Sequence, residues 1–402
     1  MRYFFTFDAS ACTGCKSCQV ACKDKNGLPL GVLWRRVYEV SGGTWERRGA
    51  AWTNSVFAYN VSVGCNHCAE PACASACPAD AYVIRDDGIV WLDSTKCIGC
   101  EYCAWACPYS APQYSPDLGR TTKCDFCMDL LDEGLPPSCV AACPMRALEY
   151  TRVDDADATG PFGTRALWEM LAAEHPFPLP AVSRTKPHVA VKPHPAMINK
   201  LPKVVANREE IRPRPAGEDL SLVAFTLLGQ AAAGTAIVSL LLRTPLDRPL
   251  LLTIGVLTAL AALVSLLHLG TRSRAWRAPA HAKTSPLSRE VVMLTVFGAA
   301  WLVALLTPSA GHVALAVSGV ALVYSMTEVY RIDAVPGWNT WRTPVSFAFG
   351  AMFLGLIVVA VVSGWIATSP VRTWWFVLAG AAIAAQLVSR RRFYGRRRDK
   401  VM

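Results

Sequence analysis

CIGCEYCAWACP, residues 97–108, holds four cysteines separated by two, two and three residues and ends on a proline. The same spacing opens the chain in ACTGCKSCQVACK, with Cys12, Cys15, Cys18 and Cys22, although Lys23 stands where the proline would be. Two further runs are looser: Cys65, Cys68, Cys73 and Cys77 in CNHCAEPACASACP, and Cys124, Cys127, Cys139 and Cys143 in CDFCMDLLDEGLPPSCVAACP. All 16 cysteines of the 402-residue chain fall in these runs. Four groups of four thiolates match four cubane [4Fe-4S] clusters with four ligands each. Disulfides are a poor reading, because thiols two residues apart are too close for sensible mutual pairing and no cleavable signal peptide is read ahead of them. Zinc is the nearer rival, since paired C-x2-C motifs also build tetrahedral thiolate sites. A third cysteine at the same short interval, followed by Cys-Pro, favours iron-sulfur.

The spacing has a mechanical cause. Three cysteines on one tight loop wrap three corners of a cube, and the fourth cannot fold back onto it; in two-cluster ferredoxins it ligates the neighbouring cluster. Between the second and third runs, residues 81–93 read AYVIRDDGIVWLD, two apolar stretches around Asp87-Gly88 and a hairpin signal. The middle runs therefore form one unit, with Cys65, Cys68, Cys73 and Cys107 at one cluster and Cys77, Cys97, Cys100 and Cys103 at the next. By the same exchange, Cys12, Cys15, Cys18 and Cys143 hold a third, and Cys22, Cys124, Cys127 and Cys139 a fourth. The expected fold is an α+β ferredoxin-like double [4Fe-4S] domain over residues 1–150, followed by an all-α polytopic membrane domain. A row of clusters conducts electrons; it does not transform a substrate.

Residues 151–215 are rich in proline and lack a sustained apolar period, which predicts an extended strap or linker that could lie on a partner. His175, His188 and His194 lie here without ligand spacing and read as solvated. Residues 216–402 read as a membrane anchor with about six transmembrane helices and a basic tail. Apolar runs occur at about 219–242, 249–270, 291–307, 311–327, 345–366 and 372–389, against roughly 20 residues needed to span a bilayer.

The net charge of +10 is concentrated. With six spans, the connections on the iron-sulfur side and the tail carry Arg272, Arg274, Arg277, Lys283, Arg289, Arg331, Arg342, Arg390, Arg391, Arg392, Arg396, Arg397, Arg398 and Lys400, against Arg243, Arg248 and Arg372 opposite. The positive-inside rule then puts the iron-sulfur domain on the cytoplasmic face of the inner membrane. The missing signal and twin-arginine segments are expected to agree. A basic tail beside a membrane helix reads as topology and lipid contact, with no nucleic acid as partner.

The four quoted cysteine runs resemble the four-cluster iron-sulfur subunit of the dimethyl sulfoxide reductase family of molybdenum enzymes. The segments LLGQAAAG, LLHLGTRSRAWRAPAHAKTSPLSREV and VYRIDAVPGWNTWRTPVSFAFG resemble the polytopic anchor subunit of the same family, usually a separate chain with eight helices. The resemblance implies a fusion of the two. It implies a quinone/quinol site that includes His268, at the end of the second span, and Glu290, at the start of the third. A histidine titrating near neutrality beside a carboxylate suits the protons of quinone chemistry. On the residues alone, both also suit a helix end at the interface; Arg277, Glu328 and Arg331 could line the same region, with the interface preferred for them. The resemblance further implies a molybdopterin cofactor in a large catalytic partner subunit, since this chain carries no pterin site and no Gly-rich nucleotide fingerprint after a strand. The cytoplasmic placement fits relatives that oxidise sulfite and reduce quinone; an exported domain would fit quinol-driven reduction of sulfoxides or polysulfide. A reading of another class is a membrane-tethered redox sensor or scaffold, for which the sequence offers no output module.

Overall fold

The computed structural model describes residues 1–153, 185–192, 194–196, 205–206, 220–364, 380, 384–390 and 392–394. The cysteine-bearing half is built from short strands and shorter helices that serve the cysteine loops. β1 (Arg2–Asp8) leads into the first run and α1 (Ser17–Lys25). β2 (Arg36–Gly42), β3 (Trp45–Arg48), β4 (Ala51–Asn54) and β5 (Phe57–Val63) follow, with β3 and β4 forming a hairpin exposed along its length. The second and third runs carry α2 (Ala72–Ala76) and α3 (Tyr102–Ala106), joined by the expected hairpin of β6 (Tyr82–Ile84) and β7 (Val90–Leu92). Gly88 makes its turn at φ +84°, a backbone region that costs glycine nothing. A second hairpin, β8 (Gln113–Ser115) with β9 (Arg120–Thr122), precedes α4 (Met128–Asp132) and α5 (Ser138–Ala141) of the fourth run.

The outer runs meet because β1 pairs antiparallel with β10 (Leu148–Val153), from Arg2 opposite Val153 to Phe7 opposite Leu148. Phe5 and Phe7 on β1 are 2% exposed, and Phe5 stacks on Phe126 at 4.0 Å. The proline-rich segment supplies two strands among its described residues. β11 (Val189–Lys192) joins β1 in parallel and β12 (Val205–Ala206) joins β2, so both belong to the iron-sulfur domain. His188, expected to be solvated, is 4% exposed and lies against Phe4 at 4.7 Å, and His194 stacks on Tyr59 at 5.4 Å. His175 lies outside the described residues. The apolar partners of these imidazoles sit far away in sequence, which is why composition alone pointed to solvent.

The anchor half has five helices long and apolar enough to span among the described residues: α6 (Leu220–Leu241), α7 (Arg248–Ser265, continued by a 3-10 turn to His268), α8 (Pro286–Leu306), α9 (Pro308–Tyr330) and α10 (Arg342–Val362). The expected sixth span falls mostly outside the described residues, although 384–390 are helical. α6 is central, and its contact with α10 is backbone to backbone. A Cβ on Gly234 would lie 1.8 Å from the Ala351 carbonyl oxygen, and one on Gly355 would lie 2.1 Å from the Gly234 carbonyl carbon. Small residues permit this approach, and dispersion over the close contact holds helices together where lipid offers no hydrophobic drive.

The two halves are fastened by the connection between α7 and α8. Arg274 donates from Nη1 to the Ser94 carbonyl at 2.8 Å, Ser285 to that of Ala76 at 2.7 Å, and Ser288 to that of Pro78 at 3.2 Å. Gly270 lies so close to Gly119 that a Cβ would fall 2.0 Å from its carbonyl oxygen. Gly234→Ala is expected to destabilise the anchor by more than about 1 kcal/mol through overpacking. Gly298→Ala, which meets nothing within 4 Å, should leave the unfolding temperature of the detergent-solubilised chain unchanged. Equal melting of the two variants would contradict the packing.

Candidate electron-transfer site

Each C-x2-C loop is turned by one device. The residue before the second cysteine has positive φ in all four runs: Gly14 (+71°), His67 (+42°), Gly99 (+72°) and Phe126 (+65°). Glycine takes this conformation freely, whereas His67 and Phe126 adopt it at a cost of order 1–3 kcal/mol that their surroundings must offset. His67, 1% exposed, accepts the Val90 N–H at Nδ1 (3.1 Å). Phe126, with no exposed surface, stacks on Phe5. The turn brings backbone N–H groups to sulfur, as where Phe126 N–H donates to Cys124 Sγ at 3.3 Å; a later loop does the same where Ala81 N–H reaches Cys77 Sγ at 3.4 Å.

The fourth cysteine of each run does leave for another set. Cys65, Cys68, Cys73 and Cys107 line one pocket, and Cys12, Cys15, Cys18 and Cys143 line another. Cys100 and Cys103 interact with Cys77 and Cys97, and Cys22 with Cys127 and Cys139. Among the described residues, no three His, Cys, Asp or Glu side chains converge as they would on a single metal ion. Two of the four thiol sets frame a pocket, a geometry that fits a cubane.

These sets form a row. Cys73 interacts with Cys103, Cys124 with Cys65, and Cys18 with Cys139, linking the sets in the order Cys77/97/100/103, Cys65/68/73/107, Cys22/124/127/139 and Cys12/15/18/143. Burial pushes the Cys22 and Cys103 thiols up to about 12 and raises those of Cys12, Cys18, Cys68, Cys73, Cys77, Cys100, Cys124 and Cys127 as well. Cys15, exposed at the outer end and hydrogen-bonded to the Ser17 hydroxyl at 3.4 Å, is lowered instead. Buried thiols of this kind ionise when they bind a metal, because the cation replaces the solvation that water no longer provides.

At the inner end of the row lies the anchor. His281 donates from Nδ1 to the Cys77 carbonyl at 3.1 Å, and Arg274 reaches the Cys97 carbonyl at 3.3 Å. Tyr102, between Cys100 and Cys103, donates to the Val329 carbonyl at 2.9 Å and feels the charge of Glu290. Glu290 is 4% exposed at the fifth residue of α8, and His268 is half-buried at the end of the 3-10 turn. The charge of Glu290 reaches Tyr102, Tyr330 and Tyr394. The Tyr330 and Tyr394 hydroxyls are 2.6 Å apart. Arg277 donates to the Ala79 carbonyl at 3.4 Å, while Glu328 and Arg331 pair with each other at 3.1 Å. Arg390, counted from sequence among the tail's topology charges, is 1% exposed; it donates to Gln230 Oε1 at 3.1 Å and lies 3.9 Å over the Phe347 ring. The tyrosines carried no sequence signal, being apolar in pattern, but Gln230 inside an apolar span was a visible one.

This arrangement defines an iron-sulfur electron-transfer protein that carries its own membrane anchor. A family model described as a 4Fe-4S dicluster domain matches residues 56–153, and that of the DMSO reductase anchor subunit (DmsC) matches residues 216–390. The sequence is 46% identical to the B component of the anaerobic dimethyl sulfoxide reductase of Escherichia coli (strain K12) over 193 residues, 48% of this chain and 89% of the relative. It is 39% identical to the thiosulfate reductase electron transfer subunit PhsB of Salmonella typhi, over 39% of this chain and 79% of that one. Similarity also extends to the B component of the tetrathionate reductase of Salmonella typhimurium, at 38% identity over 35% and 54% of the two proteins. The protein belongs to the dimethyl sulfoxide reductase iron-sulfur subunit family, with the anchor subunit fused behind it.

Cys143→Ala and Cys12→Ala are expected to abolish the same electron paramagnetic resonance signal and about a quarter of the iron, since both line one set. Cys124→Ala should abolish a different signal. Loss of a common signal in Cys143→Ala and Cys124→Ala would contradict the exchange of fourth ligands.

Proposed function

We propose that this chain relays electrons between the membrane quinone pool and a separate molybdopterin-containing catalytic subunit, through four [4Fe-4S] clusters held by the four cysteine sets. The observation that carries this reading is the continuous row of sets, closed against the anchor at one end and exposed at Cys15 at the other. When bound, each cluster supplies a one-electron carrier. The protein spaces and insulates the sets: apolar side chains pack around their cysteines and keep water from the path.

Glu290 is the proposed proton acceptor for quinol. It is buried beneath the innermost cysteine loop, within the electrostatic reach of Tyr102, and a carboxylate at a membrane helix end is costly unless used. His268 stands at the membrane end of the fastening connection and is proposed to bind the quinone from the other side. Catalysis on the final substrate belongs to the partner.

The names of the relatives, reductases of dimethyl sulfoxide, thiosulfate and tetrathionate, favour electron flow outward from quinol. The opposite flow, from sulfite to quinone, is favoured by the basic residues that argue for a cytoplasmic face. Arg274 and Arg277 fasten the two halves and Arg390 is buried, so these do not count as free topology charges; Arg272, Lys283, Arg289, Arg331 and Arg342 remain exposed and support that face of the inner membrane. Anaerobic purification in mild detergent, followed by addition of quinol or of sulfite while cluster spectra are watched, separates the two. Reduction by quinol with reoxidation by a sulfoxide or thiosulfate supports the reductase; reduction by sulfite with molybdenum present supports the reverse.

Glu290→Gln is expected to slow reduction of the clusters by quinol on the order of a hundredfold, as loss of a general base does, while dithionite still reduces them fully. Unchanged quinol kinetics would remove Glu290 from the site.

A further inference from the structure

Two fully enclosed cations sit at the junctions of the cysteine row. Arg35 and Lys123 are each 4% exposed, and among the described residues neither has a carboxylate within ion-pair distance. Burying an unpaired charge is expensive, so each position needs a compensating anion. Arg35 finds it in Cys139, Cys18, Cys124 and Cys22, members of the two outermost sets, once these are thiolate ligands of a cluster. Its Nη1 donates to Ser62 Oγ at 3.2 Å, and Ser62 Oγ lies 3.5 Å from Cys18 Sγ, so the serine, having accepted from the guanidinium, is free to turn its proton to sulfur. The guanidinium also lies 4.6 Å over the Phe5 ring, which fixes it from the other side.

Lys123 occupies the next junction. Its ammonium donates to the carbonyls of Cys124, at 2.6 Å, and Val90. Its anionic company is Cys65, Cys73 and Cys124, from two adjacent sets, and then Asp125. Arg274 and Arg277, near the innermost set, are half-exposed by contrast, and solvent screens them.

We propose that Arg35 and Lys123 are redox-tuning residues, fixed buried charges that raise the reduction potentials of the clusters on either side of them. Adding an electron to a cluster makes it more negative, and a nearby cation in a poorly screened interior stabilises that state over the oxidised one. Arg35 acts on the sites of Cys12/15/18/143 and Cys22/124/127/139. Lys123 acts on that of Cys22/124/127/139 and that of Cys65/68/73/107. The shared site is therefore held up twice. No proton or co-reactant is involved: one electron enters each site and the charges stay in place. The role rests on the proposed four clusters.

The test is a potentiometric titration of the full-length chain, purified anaerobically in detergent and followed by electron paramagnetic resonance, with iron and sulfide measured on the same samples. Fewer than four clusters in the unaltered chain would refute the four-cluster reading itself. With full clusters, Arg35→Gln is expected to lower two midpoints, each by about tenfold in the reduced-to-oxidised ratio at fixed potential, or roughly 59 mV for a one-electron couple. Lys123→Gln is expected to lower two as well, one of them common to both variants, and Arg35→Lys should restore the values of the unaltered chain. Four unmoved midpoints, or an equal fall in all four, would overturn the tuning role. If one glutamine variant loses iron, the other decides; if both do, the charges serve assembly and the proposal falls.

Discussion

A short cysteine loop can wrap three corners of a cube but cannot return its own fourth ligand, and much of the iron-sulfur half follows from that limit. Cys143 must come back to the loop of Cys12, Cys15 and Cys18, so the end of the cysteine region is drawn to its beginning and β10 zips onto β1. Cys107 must reach the loop of Cys65, Cys68 and Cys73, so the middle runs interlock around the β6–β7 hairpin. Each long-range crossing closes a large loop at an entropic cost that grows only slowly with length. The small sheets and the stacked ring of Phe126 on Phe5 help to offset it.

The same limit explains how the two halves communicate. Interlocked runs leave the backbone carbonyls around Cys77 and Cys97 at one face, and these are the acceptors that the α7–α8 connection uses. The innermost cysteine loop is thereby held against the anchor by side chain to backbone hydrogen bonds and by the approach of glycines, without a large interdomain sheet. Fusion into one chain makes this contact intramolecular, which removes the concentration dependence that two separate subunits would face.

Much of this was legible in the sequence, because ligand spacing is a local pattern with a stiff geometric consequence. The four runs, the exchange of fourth cysteines, the Asp87-Gly88 hairpin and the first five spans could be read from residue order. What could not be read depended on distant partners. His188 and His194 looked solvated because nothing near them in sequence announces the rings of Phe4 and Tyr59. Arg35, in the run Leu33-Trp34-Arg35-Arg36, looks like a surface residue, and only the fold encloses it between two cysteine sets. Arg390 sits in a basic tail whose composition argued for topology, yet Gln230 and Phe347 draw it into the bundle. Glu290 stood out in the sequence as an ionisable residue at the start of a membrane span, but the tyrosines near it come from three other segments, and no spacing rule links those.

Mössbauer spectroscopy of the full-length chain, enriched in iron-57 and isolated anaerobically, tests most directly whether this fold houses a four-membered electron path. The expected result is one population of cubane clusters with as many irons as there are cysteines, 16 per chain, all converting on full reduction. A stoichiometric zinc content, or iron for only two clusters in a correctly folded chain, would contradict it.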